Sequence, residues 1–127
     1  MRKLTASQES DERGRITLAE AAAMLPTPDG KRSVAVFEHG TLQVKLYAPR
    51  GTDLQQPHTR DEAYVVARGT GWFVNDGHRH PFAANDVLFV KAGAVHRFED
   101  FSADILVWVF FYGPEGGEVD PVGIGPP

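Results

Sequence analysis

The stretch "QQPHTRDEAYVVARGTG", residues 55–71, carries His58 and, four positions on, Glu62, followed by an apolar run that stops at Gly69 and Gly71. Imidazole nitrogen and carboxylate oxygen are the donors from which transition-metal sites are built. The chain has no Cys, which excludes thiolate zinc sites, disulfide frameworks and thiol nucleophiles. Any metal must therefore be held by His nitrogen and by carboxylate or amide oxygen. A second stretch, "GAVHRFED", supplies His96. Two neutral imidazoles and one carboxylate are the ligand set of many open non-haem Fe(II) sites, and the same set suits Zn, Mn, Ni or Cu. Open coordination positions admit water, dioxygen or a substrate oxygen.

Strand geometry says how these residues would meet. Side chains alternate along a strand, so positions 56 and 58 share one side, and Pro57 between them biases Gln56 to extended backbone. Glu62, Tyr64 and Val66 share one face of the next strand, and His96 and Phe98 share a face of a later one. If those faces all point inward, Gln56, His58, Glu62 and His96 converge on one point. Gln56 would then add a weak amide-oxygen ligand, or hydrogen-bond a metal-bound water. Tyr64 is the candidate catalytic residue, as a donor or proton-transfer group behind the ligands; it also reads as a buried core tyrosine. The histidines have a plainer reading too, as hydrogen-bonded core side chains of a metal-free barrel.

The elements that must position these residues are legible along the chain. Residues 1–15 are polar and unpatterned, a flexible lead-in. Thr17 with Glu20 three positions on matches a capping box, and "TLAEAAAML" behind it predicts one short helix that Pro26 and Pro28 end. "SVAVFEHGTLQVKLYA" predicts two strands joined near His39 and Gly40. In the second, Leu42, Val44 and Leu46 lie on one face and Gln43, Lys45 and Tyr47 on the other. "EAYVVA", "NDVLFV", "AVHRFE" and "ILVWVFFY" are further strands, and "GWFVNDGHRHPF" is a hairpin turning at Asn75-Asp76-Gly77. Many short strands with Gly, Pro and Asn-Asp turns describe an all-β sandwich or small barrel over residues 16–113. "ILVWVFFY" shows no alternation, so it is covered on both faces, by the barrel interior and by either the helix or a second subunit. A homodimer is the expected assembly. Residues 114–127 form a Gly/Pro-rich tail, extended or disordered, or else a strand reaching to a neighbouring subunit.

Composition narrows the function classes. At 127 residues the chain is one domain, and a net charge of −4 argues against nucleic acid or an anionic membrane as partner. No apolar stretch has the length of a membrane span, and the N-terminus lacks the apolar core of a signal peptide, so a cytoplasmic location is expected. Of the other titratable residues, His39, His78 and His80 fall in or beside turns and should be solvated. Arg60 falls in the turn before Glu62, either solvated or placed to hold a substrate carboxylate. Arg97 should face away from His96 toward a surface acid.

The two stretches together resemble the paired motifs of the cupin superfamily, G-x5-H-x-H-x3–4-E-x6-G and G-x5-P-x-G-x2-H-x3-N. Aligned on Glu62 and Gly69, His58 matches the second family His, Gln56 stands at the first, and Gly51 lies one position off the motif glycine. In the second motif Gly93 and His96 match, while Asn85, Lys91 and Asp100 replace Gly, Pro and Asn. The resemblance implies a jelly-roll (double-stranded β-helix) barrel of six to eight strands, with one divalent transition metal near its mouth. The ligand set itself, two His and one carboxylate, points to action on a small organic molecule with dioxygenase-like chemistry. A metal-dependent lyase, hydrolase or isomerase would use the same ligands, and so would a non-catalytic binding or sensor domain.

Overall fold

The computed structural model describes residues 13–53 and 55–119. Most of the predicted lead-in and the last eight residues of the predicted tail lie outside the described residues. Helix α1 spans Leu18–Ala22. It starts as the sequence requires: the Thr17 hydroxyl accepts from the Glu20 amide at 3.1 Å, and the Glu20 carboxylate reaches back to the Thr17 amide.

Eight strands follow: β1 (Ser33–His39), β2 (Leu42–Tyr47), β3 (Asp61–Arg68), β4 (Gly71–Asn75), β5 (His78–Phe82), β6 (Val87–Val90), β7 (His96–Glu99) and β8 (Leu106–Tyr112). They form two antiparallel sheets, ordered β1-β2-β8-β3-β6 and β5-β4-β7. No ladder joins the sheets among the described residues, so the jelly roll is an open one. The β4–β5 turn has φ of 50° at Asp76 and 85° at Gly77, the pair of positive values that a type I′ hairpin needs. Asn85 has φ of 75°, so at a motif glycine it takes the left-handed conformation that Asn tolerates better than most residues. Gly69 has no such substitute: at φ +102°, a Cβ there would lie 2.8 Å from the Ile105 Cα.

The five-stranded sheet is covered on both faces, and β8 shows how. Val107 and Val109 are buried in the interior with Tyr64, Val66, Phe73 and Phe98, and Phe111 packs against that cluster. Leu106, Trp108 and Phe110 pack instead with Ala21, Ala22 and Leu25 of the helix region. The alternation of β2 is thereby turned inside out. Its apolar stripe, Val44 and Leu46, faces the helix, while Tyr47 packs against the interior cluster. Lys45, paired across to Val109, shares that interior side.

The tail is partly fixed. The Gly113 amide donates to the Thr41 hydroxyl at 3.1 Å, the Gly116 amide to the Thr59 carbonyl at 2.6 Å, and the Glu118 amide to the Asp61 carboxylate at 2.9 Å. Residues 114–119 thus lie over the loop that precedes β3, where extended or disordered chain was expected.

Candidate metal centre

Glu62 and His96 come from opposite sheets. Glu62 opens the inward face of β3 and His96 that of β7, and their side chains are 1% and 0% exposed. Period-two alternation dictates both placements, because Tyr64 and Phe98, two residues on, are core residues on the same faces. The His96 Nε2 lies 3.1 Å from Glu62 Oε1, yet neither atom has a hydrogen-bond partner. Tautomer explains this. The His96 Nδ1 lies 2.9 Å from the Ala94 carbonyl oxygen, which only accepts, so Nδ1 carries the proton. In the neutral imidazole Nε2 then presents a lone pair to a carboxylate lone pair in a buried space. A buried acceptor pair of this kind costs roughly 1–3 kcal/mol per group unless a proton or a cation lies between them. Donation of the far ring N–H to a carbonyl is also how metal-binding histidines are oriented.

His58 closes the cluster from the loop before β3. Its Nε2 is 3.9 Å from Glu62 Oε1, and its side chain is 33% exposed. The donor atoms of His58, Glu62 and His96 all lie within 4.8 Å of one another, a spacing that suits one ion. The loop is held by backbone, with the Gly93 amide donating to the His58 carbonyl at 2.7 Å. The exposed side of His58 faces an open depression of about 460 Å³ lined also by Pro57, Thr59, Gly93 and Glu115, within the size range of small-molecule sites.

Charge tunes the two imidazoles in opposite directions. For His58, burial lowers the pKa, the Glu62 carboxylate opposes that, and neighbouring His96 adds to the lowering. For His96, burial also pulls downward, but Glu62 and the Ala94 carbonyl outweigh it and the net shift is upward. Lys45, half-buried on the interior side, is lowered by burial against the pull of Glu62. Tyr64 is fully buried, and burial holds its hydroxyl well above the usual phenol range. It therefore stays protonated at neutral pH, and its hydroxyl donates to Gln55 Oε1 at 2.9 Å.

Gln56 departs from the alternation argument: it is exposed, and its neighbour Gln55 brings its amide to the cluster instead. The physical reason is that residues 55–58 are not strand, so the period-two rule does not govern them. What fixes the loop is Asp53, a residue the motifs do not mention. It is 4% exposed, and its carboxylate accepts from the Tyr47 hydroxyl at 2.6 Å, the Gln55 amide at 2.8 Å and the Phe98 backbone amide at 2.8 Å. Those bonds tie β2, the loop and β7 together behind the cluster. An isolated Asp between Gly51 and Pro57 gives no sign of this in sequence.

The remaining polar residues fall outside the cluster. His39, His78 and His80 are exposed as expected. Arg97 pairs with Glu99 at 2.6 Å on the outer face. Arg60 donates to the Thr41 carbonyl and its guanidinium lies over the Phe111 ring, so it is engaged by the protein itself.

Comparison with known proteins places this geometry. A family model described as Cupin domain matches residues 43–112, which include His58, Glu62 and His96. The chain is a cupin. It is 37% identical over 76 residues to an uncharacterized protein of Streptomyces coelicolor, covering 58% of this chain and 72% of that one. Among solved structures, a cupin-2 domain containing protein from Shewanella frigidimarina superposes with a TM-score of 0.62 at 14% identity, covering 80% of this cupin and 98% of that chain. Crystal structures of the DMSP lyases RdDddP and RnDddQII give a TM-score of 0.50 at 23% identity, covering 61% of this cupin and 41% of that chain. At such identities the structural likeness speaks for the fold.

Proposed function

We propose that this cupin is a metal-dependent enzyme acting on a small organic molecule, with His58, Glu62 and His96 holding one divalent transition ion. The observation that carries the reading is the buried pair His96 Nε2 and Glu62 Oε1, 3.1 Å apart and neither with a hydrogen-bond partner, beside the partly exposed His58. Family membership and the donor set support it. When bound, such an ion supplies Lewis acidity toward a substrate oxygen and, as Fe(II), a one-electron centre for reaction with dioxygen.

The chain's own residues then have distinct parts. Glu62 and His96 would hold the ion from a dry floor, and His58 would hold it from the side that opens to solvent. The depression beside His58 admits the substrate, while Phe111, edge-on to the His58 ring at 4.9 Å, shields the inner side from water. Tyr64 stays protonated and acts as a donor, not as a base. Dioxygenase-like chemistry is the reading of first rank, on ligand composition. A lyase reaction is second, because a Lewis-acidic ion held by the same ligands would polarise a substrate carbonyl or activate water.

The test is metal analysis of untagged protein, followed by oxygen-electrode assays after anaerobic Fe(II) loading, screened over catechols, diketones and thiols. About one metal per chain and substrate-dependent oxygen uptake are expected. Turnover with Zn that ignores oxygen would replace the oxidative reading by the lyase one. Metal-free protein whose melting temperature ignores both added metal and chelator would end the metal reading.

A further inference from the structure

Gln55 is held in a single amide orientation by two partners of opposite kind. Its Nε2 donates to Asp53 Oδ2 at 2.8 Å, and its Oε1 accepts from the buried Tyr64 hydroxyl at 2.9 Å. Asp53 accepts only, so a flipped amide would set its oxygen against the Asp53 carboxylate and lose that bond. Oε1 is therefore locked toward the cluster, 3.5 Å from His58 Nε2. That separation is too long for a good hydrogen bond. It is close to what two donors about 2.1 Å from a common ion and 90–110° apart would show, about 3.0–3.4 Å. One lone pair of Oε1 is used by Tyr64, and the other is left on the side of His58.

We propose that Gln55 Oε1 is the fourth protein donor of the metal centre, a neutral oxygen ligand set in place by Asp53 and Tyr64. This rests on the metal reading above and adds to it a ligand that the motif spacing assigns to the wrong residue. The centre would then be two nitrogens, one carboxylate oxygen and one amide oxygen, with the remaining positions open on the His58 side. Asp53 and Tyr64 are positioning residues: neither reaches the ion, and both act by holding the amide.

The experiment is a Co(II) titration in a His78→Ala/His80→Ala background, which removes exposed imidazoles that bind cobalt adventitiously. Affinity and the visible d–d spectrum are read together. Gln55→Leu replaces the amide by an apolar side chain of similar size and should weaken Co(II) binding roughly tenfold or more, with a changed d–d spectrum. The double variant Asp53→Asn/Gln55→Glu reverses the polarity of the side-chain hydrogen bond and puts a carboxylate oxygen at the cluster, while the Phe98 amide loses its acceptor. It should bind Co(II) more tightly than the parent and shift the spectrum again. A residue that only supports the loop would not give opposite affinity changes with two distinct spectra. If His96→Ala abolishes binding while Gln55→Leu leaves affinity and spectrum unchanged, the ligand assignment is wrong and the metal reading survives. If the parent protein takes up no Co(II), both fall together.

Discussion

Two kinds of chain build this centre. Glu62 and His96 stand on strands, with Cα positions fixed by hydrogen-bonded ladders and side chains sealed from water. Gln55 and His58 stand on an irregular loop, one-third open at His58, held by Asp53 and by the Gly93 amide. The first half is a rigid floor whose geometry follows from the fold itself. The second half is a wall whose geometry depends on a few specific polar contacts. A site made this way would separate what grips an ion from what sets its open side.

The sharpest way to break the comparison is at the floor. Glu62→Gln removes the anionic donor of the cluster and should lower metal affinity by about a hundredfold or more. The same change should stabilise the metal-free protein at a pH well above the imidazole range. The new amide N–H can donate to the His96 Nε2 lone pair, relieving a buried mismatch worth about 1–2 kcal/mol. Paired calorimetry and thermal melts, with and without metal, check this. Lower affinity together with a lower metal-free melting temperature would mean that the buried pair is a structural ion pair and not a ligand set.

At the wall, Asp53→Ala leaves the Tyr47 hydroxyl, the Gln55 amide and the Phe98 N–H without their acceptor. The expected cost is about 2–4 kcal/mol of folding stability, read by urea titration. Metal affinity should fall only about tenfold, because although the Phe98 amide of β7 loses its acceptor, His96 keeps the Ala94 carbonyl and β7 keeps its ladder to β4. A loss as large as that of Glu62→Gln would erase the distinction between floor and wall.

The same distinction explains what could be read from the sequence. Hydrophobic alternation gives the inward faces of β3 and β7 because burial on one face of a strand imposes a period of two, and Glu62 and His96 follow from Tyr64, Val66 and Phe98. The capping box at Thr17, the hairpin at Asp76-Gly77 and the double cover of β8 follow from equally local chemistry. The inversion of β2 was not legible, because alternation shows that two faces differ and not which one is inside. A helix laid on Val44 and Leu46 decided that. Nor was the role of Asp53, since a buried carboxylate in a loop is identified only by the three donors that converge on it from distant parts of the chain.

Gln56 gives the finest test, because motif alignment and structure disagree about it. Alignment sets it where the family carries its first His, so Gln56→His should rebuild a full ligand set and tighten metal binding. The structure leaves its side chain exposed, outside the hydrogen-bond network that holds Gln55. Imidazole at that position would remain in solvent unless residues 55–58 rearranged, which would require breaking the Asp53–Gln55 and Gly93–His58 bonds. Two such bonds are worth about 1–3 kcal/mol together, a barrier that one added ligand must exceed before any gain is seen. The expected result is unchanged affinity, within about twofold, and stability within about 0.5 kcal/mol, as for an ordinary surface substitution. A tenfold gain, about 1.4 kcal/mol, would show that the wall re-forms readily around a better ligand, and that its observed shape is one of several the loop can take.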